Sequence, residues 1–204
     1  MKPVHLLRTK PISFVFVLLT IFFICAPYVV LAEQQPIEQA DVLSIDNFER
    51  VSSSIWRGAA PSDASLKQLA DKGIRTIIDL RMNGIKCSRE EETVKQLGLK
   101  YVHLPMGFRK PTYQNVTAFL KTISDPVNLP VYIHCHQGAD RTGVLVAIYR
   151  IIVDKWSFDK TYSEMRSHHF KPWLFGMKKS VAAVSQKDSV RQTLQIAMDN
   201  AKVN

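Results

Sequence analysis

The hydrophobic and polar positions of the chain form short apolar runs separated by longer segments with helical spacing. Apolar runs of strand length lie at 74–81, 99–106 and 131–135, and a shorter strand is predicted around Trp56. Because predicted helices separate these runs, the pattern indicates the α/β class. We expect a central, mainly parallel sheet with helices on both faces.

The predicted helices begin and end at residues that typically cap helices. Ser62 or Asp63 can cap a helix that runs to Lys72, and Gly73 follows it as a terminating glycine. Residues 82–88 are predicted to form a loop. Further helices are predicted at 89–97, 111–124, 142–154, 158–169 and 181–202. The helix at 142–154 is apolar almost all round, so we expect it to be buried.

The composition fits one globular domain, since 46% of the 204 residues are hydrophobic and 22% are charged. We place this domain at 51–204, after a polar and loose N-terminal segment at 33–50. The sequence has no internal repeat and no low-complexity segment. We expect the protein to act as a monomer.

The first 32 residues have the layout of a secretory signal peptide, in which a basic start precedes an apolar stretch from Ile12 to Ala32. Val30 and Ala32 favour cleavage after Ala32, which predicts a periplasmic or secreted protein. The alternative is an uncleaved anchor in the inner membrane, because the apolar stretch is close to bilayer-spanning length. Only in that case do we expect contact with a membrane.

The formal net charge of +9 points to an anionic partner. The basic residues are scattered, and the chain has neither an arginine-rich arm nor a zinc-finger spacing. We therefore expect no nucleic-acid binding.

The stretch HCHQGADRTG, at 134–143, carries the strongest chemical signal. Cys135 follows a strand directly, at the edge where open α/β sheets bind ligands. The loop after it opens a helix, so backbone N–H groups and the helix N-terminus favour an anion and a thiolate. Gly138 permits a tight turn, and Arg141 can grip two phosphate oxygens. Together these features predict a phosphate-transfer site.

The pattern His-Cys-x-x-Gly-x-x-Arg-Thr in this stretch resembles the signature of protein tyrosine and dual-specificity phosphatases. The resemblance covers most of the mature chain, including GIRTIIDLR and YVHLPM. It implies that Cys135 attacks phosphorus to form a cysteinyl-phosphate and that Arg141 binds the phosphoryl oxygens. It also implies that His134 supports the loop and that Thr142 donates to the thiolate. The substrate-binding residues would be His136, Gln137, Gly138, Ala139, Asp140 and Arg141, with no metal or cofactor.

The proton donor for the leaving group is the point where the chain departs from this family. Most members carry an aspartate on the loop that corresponds to 107–112, which has no carboxylate here. Asp140 is the first candidate, as in the similar loop of myotubularin-type enzymes, and the alternative is that it caps the helix or pairs with a basic neighbour. Asp79 is the second candidate, with a pairing to Arg81 as its alternative.

Two further sets of residues leave alternatives open. Cys87 could be a bystander, form a disulfide with Cys135, or act as a resolving cysteine for an oxidised Cys135. His134, His136, His168 and His169 resemble a metal cluster only in composition, because a metal-ligated Cys135 could not attack phosphorus.

The sequence therefore predicts an exported, cysteine-dependent phosphomonoesterase of the tyrosine or dual-specificity type, acting on a phosphorylated substrate such as a phosphoprotein. An inositol phosphate, phosphoinositide or phospholipid substrate is the alternative that Arg109 and Lys110 favour, if they face the pocket mouth. A phosphate-binding module without catalysis is a further alternative, although Cys135 and Arg141 are both present. A structural protein stapled by a disulfide would leave Arg141 unexplained.

Overall fold

A computed structural model of the chain describes residues 43–200, and no helix among them is long and apolar enough to cross a membrane. The predicted signal peptide or anchor at 1–32, and the first part of the segment at 33–50, lie outside the described residues. The described part belongs to one unit that begins at Asp41.

A five-stranded sheet organises the domain. Its strands are β1 (Glu49–Arg50), β2 (Ile55–Gly58), β3 (Thr76–Asp79), β4 (Lys100–His103) and β5 (Val131–His134). The spatial order is β1-β2-β5-β3-β4, and only β1 runs antiparallel to its neighbour. His134 at the end of central β5 pairs with Gly58 on one side and Asp79 on the other. The carboxyl ends of three parallel strands therefore lie level at one edge of the sheet.

Seven α-helices and one 3₁₀ turn complete the described domain. They are α1 (Asp63–Asp71), α2 (Ile85–Gln96), α3 (Tyr113–Ser124), the 3₁₀ turn (Pro126–Asn128), α4 (Asp140–Ile152), α5 (Phe158–Ser167), α6 (Phe175–Gln186) and α7 (Asp188–Asp199). Ser62 is the N-cap of α1, because its hydroxyl accepts from the backbone N–H of Ser65 at 3.1 Å. Each residue of α4 is buried, as its all-round apolar pattern predicts.

Helices cover both faces of the sheet and give the domain two hydrophobic cores. On one face, Leu66 and Leu69 of α1 and Val94 of α2 belong to a core with Ile77 and Tyr132 of the sheet. On the other face, the five helices from α3 to α7 enclose Ile55, Ile78 and Ile133. The predicted α/β class, with a mainly parallel sheet between two helical layers, is confirmed.

Three elements differ from the sequence prediction. Helix α2 begins at Ile85, within the predicted loop at 82–88, so its glutamates lie inside the helix and not in its first turn. The helix predicted at 181–202 is divided into α6 and α7, because Lys187 adopts an extended conformation between them. Residues 43–50, predicted to be loose, pack against the sheet through buried Leu43 and Ile45.

Candidate active site

The loop between β5 and α4 forms the floor of a pocket of about 340 Å³. Cys135 is only 2% exposed, at the point where β5 ends. The pocket is lined by Phe108, Cys135, His136, Gln137, Asp140 and Arg141. The structure therefore brings the predicted nucleophile and the predicted phosphate ligand into one cavity.

Hydrogen bonds from outside the loop fix the orientation of its peptide groups. The carbonyl oxygens at 136–138 accept, in order, from the backbone N–H of Ala60, the side-chain amide of Asn47 and Nη2 of Arg57, at 3.2, 2.7 and 2.8 Å. In a trans peptide the C=O and the following N–H point in opposite directions. The N–H groups at 137–139 therefore point away from these donors, which forms the amide cradle that an anion requires.

Gly138 is required by both conformation and space. Its φ of +67° lies in the left-handed region, and a Cβ there would lie 2.4 Å from the carbonyl carbon of Gly58. Gly58 is itself packed against the ring of Tyr132, whose hydroxyl donates to Ala59 O at 2.6 Å. The loop thus rests directly on the backbone after β2.

The guanidinium of Arg141 donates hydrogen bonds to two backbone carbonyl groups. Its Nη1 donates to Leu80 O at 3.5 Å and to Met106 O at 3.4 Å, beyond the ends of β3 and β4. Its Nε is buried without a hydrogen-bond partner among the described residues, and its guanidinium lies 5.0 Å from the ring centre of Phe108. A guanidinium oriented in this way keeps donors for the oxygens of a phosphoryl group.

Arg57 is a fully buried cation behind the loop, and sequence reasoning missed it. Burial lowers the pKa of Arg57, whereas the negative charges of Glu164, Glu49 and a Cys135 thiolate act to raise it. Arg57 and Asn47 carry no periodicity or motif that connects them to a loop about 80 to 90 residues away.

His134 supports the loop through a buried network. Its Nδ1 donates to Cys135 O at 3.2 Å, and its Nε2 lies 2.8 Å from Oε1 of Glu90. The guanidinium of Arg81 joins Glu90 to Asp79, with its Nη2 at 2.7 Å from a carboxylate oxygen of each. Glu90 was not singled out from the sequence, because it lies in a run of three glutamates that is typical of an exposed helix.

Asp79 is ruled out as a proton donor by its environment. It is fully buried, and its carboxylate accepts hydrogen bonds from Arg81 and from the hydroxyl of Tyr101 at 2.8 Å. Burial acts to raise the pKa of Asp79, but these hydrogen bonds and the charge of His134 outweigh it and hold the pKa well below its usual range. The alternative that the sequence offered, a pairing with Arg81, is present in the structure.

Asp140 lies in the pocket and is also paired with a basic neighbour. One carboxylate oxygen accepts from the backbone N–H of Lys171 at 2.9 Å, and the other lies 3.4 Å from the Lys171 ammonium. Among the residues that line this pocket, Asp140 carries the only carboxylate. Asp140 therefore lies where a proton donor for the leaving group is needed. It also pairs with the basic residue Lys171, which is the alternative that the sequence offered.

The hydroxyl of Thr142 is buried and has no hydrogen-bond partner among the described residues. The implied donation from Thr142 to the Cys135 sulfur is therefore not formed in this structure.

Cys87 and Cys135 are both free thiols in the structure, so the disulfide that the sequence left open is not formed. The Cys87 thiol donates to Met82 O at 3.2 Å. Burial and the nearby Asp79 carboxylate raise the pKa of Cys87, which keeps it protonated and weakly nucleophilic.

Two groups of side chains lie close enough to share a metal ion among the described residues, namely Asp79 with Cys87 and His103, and Asp79 with Glu90 and His134. Both include Asp79, whose carboxylate is already bonded to the guanidinium of Arg81. A fixed positive charge at this point disfavours a cation in either group. Of the other histidines, His168 pairs with Glu49.

Comparison with known proteins decides the family. A family model described as a DSP-PTPase phosphatase fused to NAD+ kinase matches residues 28–192. The chain belongs to this family. The predicted kinship with tyrosine and dual-specificity phosphatases is therefore confirmed.

Curated relatives share this region of the chain. Probable NAD kinase 2, chloroplastic, of Oryza sativa subsp. japonica is 30% identical over 112 residues, which are 52% of this chain and 11% of that protein. Inositol diphosphatase SIW14 of Saccharomyces cerevisiae is 26% identical over 142 residues, which are 64% and 48% of the two chains. Dual specificity protein phosphatase TpbA of Pseudomonas aeruginosa is 26% identical over 125 residues, which are 61% and 55%. The chain thus spans about half of SIW14 and TpbA and a small part of the kinase.

Solved structures of two of these relatives have the same fold. The crystal structure of P. aeruginosa TpbA has a TM-score of 0.62 at 23% identity, covering 77% of this chain and 92% of that one. The core catalytic domain of the S. cerevisiae PP-IP phosphatase SIW14, in complex with citrate, has a TM-score of 0.64 at 22% identity, covering 78% and 95%.

Proposed function

We propose that this protein is an exported phosphomonoesterase that transfers a phosphoryl group to Cys135 and then to water. The observation that carries the proposal is the pocket itself, in which a buried cysteine, an amide cradle and the free donors of Arg141 converge. A module that only binds phosphate has no use for a cysteine at the floor of this cradle. The export part of the proposal rests on the N-terminal sequence.

The reaction follows from the positions of these groups. The Cys135 thiolate attacks phosphorus, and the bond from phosphorus to the leaving oxygen breaks as the sulfur–phosphorus bond forms. Asp140 donates a proton to the leaving oxygen and in the second step accepts one from the attacking water. That step restores the thiolate and releases inorganic phosphate. The cradle and Arg141 hold the non-bridging oxygens throughout.

Two substrate classes fit the pocket. A phosphorylated tyrosine, serine or threonine side chain is the first, and the similarity to the dual-specificity phosphatase TpbA supports it. An inositol phosphate or phosphoinositide is the second. The segments GFRKPTY and KPWLFGMKK beside the pocket hold five basic residues and no acidic one, which favours a substrate with several negative charges. The similarity to the inositol diphosphatase SIW14 also supports this class.

Phosphate release from a substrate panel tests the proposal. We expect the protein to hydrolyse a phosphotyrosine peptide, inositol polyphosphates or phosphoinositides with a reductant present. Rates should be unchanged by EDTA, because the cradle and Arg141 supply the positive potential that a metal would supply elsewhere. Rapid acid quenching should trap a phosphorylated Cys135 that mass spectrometry can locate. No release from any panel member would contradict the proposed function.

The role of Asp140 is tested by changing the leaving group in an Asp140→Asn variant. p-Nitrophenolate leaves without help, so kcat/KM for p-nitrophenyl phosphate, which reports only the first step, should fall by about threefold or less. An alkoxide needs a proton, so kcat/KM for an alkyl phosphate should fall by about 10²-fold. Equal losses of kcat/KM for both leaving groups would show that Asp140 is not the proton donor to the leaving oxygen.

A further inference from the structure

Two segments, at 107–113 and 171–179, border the catalytic pocket, and most of their residues are exposed. We refer to them together as the rim. The second segment begins beside the loop between β5 and α4, which we call the phosphate loop, since Lys171 contacts Asp140 at the end of that loop. The two segments touch each other, because a Cβ at Gly176 would lie 3.3 Å from the backbone nitrogen of Lys110. The rim is therefore one continuous surface beside the pocket mouth.

The rim exposes large aromatic side chains to solvent. Phe108, Tyr113, Trp173 and Phe175 have exposed fractions of 57, 54, 64 and 66%. Among the residues that the structure describes, nine large hydrophobic side chains are exposed, and the four aromatic ones all lie in the rim. Isolated exposed apolar side chains are ordinary, but four aromatic rings on two touching segments form a patch typical of an interaction site.

All charged residues of the rim are basic. Arg109, Lys110, Lys171, Lys178 and Lys179 lie in it, and it contains no aspartate or glutamate. Lys171 contacts Asp140, and Lys178 lies over the ring of Tyr162. Arg109, Lys110 and Lys179 are exposed. The surface therefore combines aromatic rings with a positive potential.

We propose that the rim is a docking surface for an anionic lipid bilayer, which would bring the pocket to the phosphates of lipid headgroups. Aromatic side chains insert at the level of the headgroups, and basic side chains beside them attract anionic lipids. An acidic peptide would also match the charge. A bilayer fits better, because all four rings are more than half exposed. A groove does begin at residues 110–113, but Phe108, Trp173 and Phe175 do not line it, so a peptide bound there would leave these three rings uncovered. Sequence reasoning placed membrane contact only in the N-terminal stretch.

Vesicle co-sedimentation tests this proposal on the chain from Asp41 to Asn204. This unit carries the whole sheet and both hydrophobic cores, and it lacks the apolar N-terminal stretch. We expect it to bind phosphatidylcholine vesicles that contain phosphatidylglycerol and not vesicles of phosphatidylcholine alone. Binding should weaken as the salt concentration rises.

Variants distinguish binding through the rim from nonspecific binding through other exposed apolar side chains. Trp173→Ala with Phe175→Ala should lower the affinity for the anionic vesicles about tenfold or more, since both rings lose their insertion into the interface. Ile85→Ala with Val127→Ala removes side chains that are 88% and 77% exposed but lie outside the rim, and it should leave binding unchanged. All these chains should have the circular dichroism spectrum and the thermal unfolding midpoint of the parent, which shows that the fold is intact without reference to turnover.

Three outcomes would overturn the proposal. They are a parent chain that does not bind anionic vesicles, a rim variant that binds as tightly as the parent, and a rim variant whose only defect is a raised KM for an acidic phosphopeptide. The last would identify a peptide-docking surface instead. Phosphatidylglycerol is a phosphodiester and binding is measured without turnover, so failure here is distinguishable from failure of the proposed phosphomonoesterase reaction.

Discussion

A Cys135→Ser variant will release phosphate at least about 10⁴-fold more slowly than the parent from every substrate that the parent hydrolyses. Serine keeps the shape of the side chain, but its hydroxyl is not ionised at neutral pH and is a weak nucleophile without a partner base. The pocket offers the cation of Arg141 and an amide cradle, which stabilise an anion once it is formed but do not remove the proton of a hydroxyl. Initial rates of phosphate release measure the loss.

The matched control is Cys87→Ser, which removes the other thiol of the described residues. Cys87 donates to Met82 O and does not line the pocket, so we expect activity within about twofold of the parent. The Cys135→Ser variant should still bind inorganic phosphate, because the cradle and Arg141 remain. Turnover by the Cys135→Ser chain, or an equal loss in both variants, would contradict the assignment of Cys135 as nucleophile.

An Arg141→Lys variant will lose about 10²- to 10³-fold in kcat, close to the cost of removing one oriented donor from an oxyanion site. Lysine keeps the charge, but its ammonium cannot donate to two phosphoryl oxygens in one plane. It also cannot hold the two carbonyl contacts, to Leu80 and Met106, that orient the guanidinium. Steady-state rates should show a fall in kcat larger than any rise in KM, because the bonds strengthen in the transition state.

The control for this variant is Arg75→Lys, at an exposed position before β3. It makes the same chemical change away from the pocket and should alter neither kcat nor stability measurably. If Arg141→Lys retained parental kcat, Arg141 would contribute only charge, and the proposed bidentate contact would be wrong.

Much of the fold could be predicted from local patterns. The strands at 74–81 and 131–135 are found close to their predicted places, because a buried strand leaves a continuous apolar run. The start of α2 was missed, because a helix can begin at a glycine without a side-chain cap. The division between α6 and α7 was missed as well, because one extended residue, Lys187, interrupts a pattern that is otherwise helical.

The chemistry of the phosphate loop was readable because it is local. Cys135, Gly138 and Arg141 lie within seven consecutive positions between a strand and a helix. A strand end and a helix start already place the thiol, the backbone N–H groups and the guanidinium around one point. The sequence alone therefore predicted Cys135 as the nucleophile and Arg141 as the phosphate ligand, and it indicated the family that the comparisons confirm.

Tertiary structure decided which groups hold that loop and which carboxylate lines the pocket. Asn47 and Arg57 reach the loop across 90 and 81 positions, and Glu90 reaches His134 from another helix. Only the folded chain separates Asp79, buried against Arg81, from Asp140, which lines the pocket. The physical reason is that hydrophobic periodicity reports which side of an element faces the core. The partner of a buried polar atom depends on which elements meet, and that is settled only by the packing of the whole domain.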